Sequence, residues 1–119
     1  DITPTSTDND VLVMVNQYYL VSRSSASAIG GGLKLVRDTT QIYYPVGVGS
    51  GGRNFQLNAT GTTLLELQMI YSFSYLDSPS TTSATTYKTQ QAVAEDDNQT
   101  ATSQLDSGVS TIILMEIEG

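Results

Sequence analysis

The chain has 119 residues, and its 12 acidic against 5 basic side chains leave a net charge of −7, which opposes electrostatic attraction to nucleic acid or to an anionic membrane surface. It contains no cysteine and no histidine, so disulfide staples, thiolate nucleophiles and serine–histidine triads are all excluded, and the commonest transition-metal ligand is missing. With 39% hydrophobic and 14% charged residues the composition suits one folded domain spanning residues 1–119, and no apolar run approaches the roughly eighteen residues that would insert into a membrane.

Residues 2–7 read as an extended lead-in, because Pro4 cannot donate to a central ladder, and Asp8-Asn9-Asp10 turns the chain. Residues 11–21 form a strong strand, with Val11, Val13, Val15, Tyr19 and Val21 on one face and Leu12, Met14, Tyr18 and Leu20 on the other. Apolar residues on both faces predict that a partner subunit covers the outer one. Serines, alanines and Gly30-Gly31-Gly32 then predict a flexible connection, and residues 33–37 and 41–46 flank Asp38-Thr39-Thr40 as a hairpin. Residues 47–52 form a glycine-rich loop that matches G-x-G-x-x-G, but Arg53-Asn54-Phe55-Gln56 reads as a loop entering a strand, not as the helix that a dinucleotide site requires.

A short strand follows at 55–57, a turn at 58–62, and then the clearest signal in the chain. Leu65, Leu67, Met69, Tyr71, Phe73 and Tyr75 form an unbroken apolar face at period two, opposite the mixed face of Leu64, Glu66, Gln68, Ile70, Ser72, Ser74 and Leu76. Asp77-Ser78-Pro79 ends that strand and opens a serine- and threonine-rich loop that closes at Tyr87. A weaker strand at 87–93, an acidic loop at 95–98 and a last strand at 109–118 complete the chain, the last with Val109, Ile113, Met115 and Ile117 on one face and Ile112 and Leu114 beside Glu116 and Glu118 on the other. No stretch sustains a capped 3.6-residue period. The fold class is therefore all-β, with six to eight strands in a two-sheet antiparallel sandwich, and the apolar terminal strand suits a jelly roll.

The remaining enzymatic route is a carboxylate pair, as in glycoside hydrolysis. Glu66, Glu116 and Glu118 alternate with apolar residues, however, and read as solvated positions on an outer face; the chain is expected not to be an enzyme and to need no cofactor. Asp8 and Asp10 around Asn9, and Glu95 to Asp97 beside Asn98, lack the full spacing of a calcium loop and read as solvated turns, leaving no metal site. Asn58-Ala59-Thr60 and Asn98-Gln99-Thr100 match the glycosylation pattern only as such short patterns do by chance. In each of the pairs Tyr18-Tyr19 and Tyr43-Tyr44 one ring is expected to point outward, available for subunit packing or recognition.

The run SFSYLDSPSTTSATTYKTQ (72–90), with STIILMEIEG (110–119) and the opening ITPTSTDNDVLVMVN (2–16), resembles the C-terminal β-rich, tumour-necrosis-factor-like jelly-roll domains of structural proteins of tailed bacteriophages. The resemblance implies a non-enzymatic virion component made in the host cytoplasm. It would be a homotrimeric fibre or spike head domain that touches other virion proteins and a host surface glycan or protein. A capsid decoration protein is the alternative, and a carbohydrate-active enzyme working through Glu66 the third. The family usually carries another strand before ITPTS, and the chain, beginning at Asp1 without an initiator methionine, is expected to be a fragment or processed product lacking it. Val13, Tyr71, Phe73, Tyr75, Ile113 and Met115 are the expected core or trimer-interface residues, so that Phe73→Asp should block assembly. Gly49, Arg53, Ser80 and Thr82 mark the expected outward recognition loops.

Overall fold

A computed structural model describes residues 1–24, 29–44, 54–57, 64–93 and 99–119. The period-two segments become strands β1 (Asp10–Arg23), β2 (Ile29–Arg37), β3 (Thr40–Tyr43), β4 (Phe55–Leu57), β5 (Leu65–Asp77), β6 (Tyr87–Val93), β7 (Gln99–Ser103) and β8 (Thr111–Ile117); one 3₁₀ turn, Leu105–Ser107, is the only helical element among the described residues. The strands form two antiparallel four-stranded sheets. In the first, β1 pairs with β5 along its full length on one edge, from Val11↔Asp77 to Arg23↔Leu65, and with β8 and then β7 end to end on the other. In the second, β2 pairs with β6 on one edge and with β3 and β4 on the other. The molecule is an antiparallel all-β sandwich.

The pairings are nested. The β2–β3 hairpin lies inside the β1–β5 ladder, which lies inside the Ile2↔Thr85 bridge. The pairings β2–β6 and β1–β8 then wind this long hairpin over itself.

Alternation decides which residues enter the core. Val11, Val13, Val15, Tyr19 and Val21 of β1 are all at most 4% exposed and meet Leu33 and Leu35 of β2; each such side chain contributes about 1.5–3 kcal/mol of burial. The two flanks between the sheets are filled differently. On the β5 flank Tyr43 stacks on Tyr75 at 4.8 Å, Phe73 lies 5.4 Å from Tyr43, and Phe55 meets Tyr19 edge-on at 5.4 Å. On the β6 flank amides replace rings: Thr89 Oγ1 donates to Gln17 Oε1 at 2.6 Å, Gln17 Nε2 donates to Ser103 Oγ at 2.7 Å, and the Ser103 hydroxyl donates to Gln91. Asp77 joins the sheets, accepting from Arg37 Nη1 at 2.8 Å and from the Tyr87 hydroxyl at 2.6 Å.

Two expectations need correction. Gly30-Gly31-Gly32 is not a flexible connection but part of central strand β2. A Cβ on Gly31 would lie 2.5 Å from the Tyr19 hydroxyl oxygen and 2.8 Å from the Ala92 carbonyl oxygen, so the glycine makes room for a ring that crosses between the sheets. β7, with sequence QTATS, was not expected, because it has no apolar alternation; only Ala101 joins the core. The residues expected to form the 47–52 loop and the 58–62 turn lie outside the described residues, as do Pro45 and Val46 of the expected hairpin and the whole acidic loop at 95–98.

The N-terminal lead-in is fastened by one carboxylate. Glu116 accepts from the Thr5 backbone N–H at 2.5 Å, the Thr5 hydroxyl at 2.8 Å and Asn9 Nδ2 at 2.7 Å. These bonds, that from Asn9 foremost, lower its pKa below the ordinary 4.5. A depressed carboxylate stabilises above its unfolded pKa and loses that contribution as the pH falls through the folded one. Amide exchange at Thr5 is therefore expected to be slow at neutral pH and to quicken as the pH falls below 4.5, and Glu116→Gln should quicken it at neutral pH. Equal exchange in both proteins at neutral pH would remove Glu116 from this role.

Candidate functional site

The outer face of the first sheet is the most unusual surface of the molecule. Register places Leu76, Leu12 and Met115 in one row across β5, β1 and β8, and Ser74, Met14 and Ile113 in the next. Leu76 is 51%, Met115 47% and Ile113 51% exposed, and neither row carries a charge. A third row, Ser72, Asn16 and Thr111, is polar and tied by the Ser72 hydroxyl donating to Asn16 Oδ1 at 2.7 Å. Beyond it Ile70 lies 63% exposed beside Tyr18. The Tyr18 hydroxyl donates to Gln68 at 2.9 Å, and the ring closes against Gly108, where a Cβ would come within 2.6 Å of Tyr18 Cδ1. Contiguous exposed apolar rows of this kind mark contact surfaces.

The expected core or interface residues divide between two places. Val13 is fully buried. Tyr71, Phe73 and Tyr75 point between the sheets and are half-buried, because β5 is an edge strand whose inner face is covered from one side. A charge at Phe73 would therefore strike the core, and it tests folding, not assembly. Ile113 and Met115 alone lie on the exposed outer face. In each tyrosine pair one ring turns inward, Tyr19 and Tyr43, while Tyr18 and Tyr44 lie on the outer side.

Of the expected recognition residues, Ser80 and Thr82 are exposed in the loop after β5, where Ser80 adopts a left-handed φ of 51°. That loop is fastened at its start by the Ser78 hydroxyl donating to Asp10 Oδ1 at 2.6 Å and at its end by the Ile2–Thr85 backbone pair. Gly49 and Arg53 lie outside the described residues. Glu66 is exposed on the outer face opposite Ser22. Asn9 turns to Glu116 while Asp10 takes Ser78, so the first acidic cluster does not converge, and no group of three or more metal-ligating side chains occurs among the described residues.

Sequence reasoning missed a second feature, a groove of about 610 Å³ on the outer face of the second sheet between Lys34, Gln41, Tyr44 and Gln90. Its sequence signal was the glycine run: Gly30 and Gly32 occupy the outward positions of β2, so no side chain rises from the middle of the sheet there. Comparison with family models, with curated proteins and with solved structures finds no match for this chain.

Proposed function

We propose that the chain is a non-enzymatic structural module of a bacteriophage particle, a homotrimeric fibre or spike head domain that packs through the outer face of its first sheet. The observation that carries this reading is the uncharged pair of rows around Leu12, Met14, Leu76, Ile113 and Met115. In a chain with net charge −7 these two rows carry no charge at all, and a sheet face left apolar is covered by a second copy more readily than by water. The antiparallel two-sheet sandwich and the resemblance of residues 2–16, 72–90 and 110–119 to phage β-rich domains agree with it.

The native mass of the chain at micromolar concentration tests the reading. We expect a species near 38 kDa, three times the 12.7 kDa of the chain. The double variant Leu12→Glu/Met115→Glu should keep its β-sheet circular dichroism and sediment as a monomer, since an unpaired charge buried at each contact costs about 3 kcal/mol or more, a hundredfold in association. A wild-type monomer, or a double variant that stays trimeric, overturns the assignment. Loss of adsorption in particles lacking the domain supports the fibre role; intact adsorption with a weakened head supports capsid decoration instead.

A further inference from the structure

We propose that the groove on the outer face of the second sheet binds an acidic saccharide, a sugar ring carrying a carboxylate; this rests on the reading of an outward-facing recognition module and gives that module its ligand class. If the first sheet faces the other copies, the outer face of the second is the one left to solvent.

The groove is built by register. Lys34 on β2 stands directly opposite Gln90 on β6, and Gly32 opposite Ala92. Tyr44 follows Tyr43, which pairs with Leu35, so Tyr44 borders the same depression from the other edge. With Gly32 as floor, a flat ring can approach the backbone between Tyr44 and Gln90. The volume of about 610 Å³ lies within the roughly 300–1,000 Å³ of small-ligand sites.

The lining chemistry selects the ligand. An amphipathic phenol ring offers one apolar face to the C–H face of a pyranose, and the amides of Gln41 and Gln90 offer donors and acceptors to its hydroxyls. Among the described residues neither amide makes a hydrogen bond within the protein, whereas Gln91 is committed to Ala101 and Ser103. Lys34 brings a cation, and no acidic residue is among the described residues that line the groove, in a chain where acids outnumber bases 12 to 5. An anionic substituent on the sugar is the group this arrangement complements.

The test is a backbone-amide NMR titration of the full chain with galacturonate, glucuronate and N-acetylneuraminate, with galactose as neutral control and acetate as bare-anion control. At least one acidic sugar should shift the amides of residues 32–34, 44 and 90–92 with millimolar affinity. Tyr44→Ala should abolish the shifts, and Lys34→Gln should weaken acidic-sugar binding about tenfold, to the level of galactose. No shift with any acidic sugar up to about 50 mM, an affinity floor near 2 kcal/mol, overturns the proposal. So do acetate binding as tightly as the sugars, and galactose matching them in the wild type. A trimer that binds no sugar overturns the groove alone, whereas a monomer that binds overturns the assembly and leaves the groove standing.

Discussion

Asp77→Ala is expected to destabilise the fold by about 3 kcal/mol, within the range measured when one partner of a buried pair is removed. Asp77 is 5% exposed at the end of β5 and receives two donors from the opposite sheet. Truncation strands both. The Tyr87 hydroxyl, in a residue 5% exposed, loses its acceptor at a cost of about 1–3 kcal/mol. Arg37, whose side chain is 26% exposed, recovers part of its loss by turning to water, which keeps the total below the upper end of the range. Tyr87→Phe should cost only about 1 kcal/mol, because it leaves the Arg37–Asp77 pair intact. Replacing all three groups, Asp77→Leu with Arg37→Met and Tyr87→Phe, should recover much of the loss, since the penalty lies in stranding groups and not in the absence of the pair. Urea unfolding of the four proteins measures this, and an Asp77→Ala protein within about 0.5 kcal/mol of wild type, the scatter of ordinary surface changes, would mean that the tie does not hold the sheets.

That tie shows what a sequence hides. Asp77 stood at the visible end of an apolar strand and read as punctuation before Pro79. Its partners lie 40 and 10 residues away, and only the winding of the hairpin brings them together. The strand interiors were legible for the opposite reason: alternation is local, and a segment such as residues 65–75 declares its buried face without reference to its neighbours. β6 and β4 fall where their side chains suggested, whereas β7 is held by main-chain pairing to β1 and by the Gln17–Ser103–Gln91 amides, which leave no period to read.

The candidate surfaces were legible in part, along the same divide. Leu12 and Met14 announced an apolar second face on β1, but that Leu76 and Met115 continue one row across three strands depends on register, and register is set by turns and pairing partners far away in sequence. For β8 the period named the faces without saying which one turned inward. The structure turns Leu114 inward, partly buried beside Val13, and leaves Ile113 and Met115 outside, although the outward side is the more uniformly apolar. The groove of the second sheet was illegible because its signature is missing side chains, and glycines in sequence read first as loop.

Gly31→Ala turns that ambiguity into an experiment whose sign is informative. If residues 30–32 were a loose connection at an ordinary backbone conformation, alanine would restrict the unfolded chain and stabilise by about 0.4–1 kcal/mol. The packing requires the reverse. The new methyl would sit 2.5 Å from the Tyr19 hydroxyl oxygen, 3.1 Å from Cε1 and 2.8 Å from the Ala92 carbonyl oxygen, in a place where Tyr19 is fully buried and donates to Ala92 O at 2.6 Å. Overpacking costs about 1–3 kcal/mol, and displacing the hydroxyl from its acceptor about 1–3 more, so a loss of about 3 kcal/mol is expected, lowering the melting temperature by about 10 °C or more in a domain of this size. Tyr19→Phe removes the atom the methyl strikes, so the double variant Gly31→Ala/Tyr19→Phe should cost less than the two single changes added together. The same contact appears in alkaline solution. Burial pushes the Tyr19 hydroxyl from its ordinary 10.0 up to about 12. The unfolded chain ionises there first, so the contribution of Tyr19 is complete below pH 10.0 and is lost as the pH rises toward 12. Tyr19→Phe should flatten that part of the stability curve, whereas a Gly31→Ala protein at least as stable as wild type would show that the ring does not pass over this glycine.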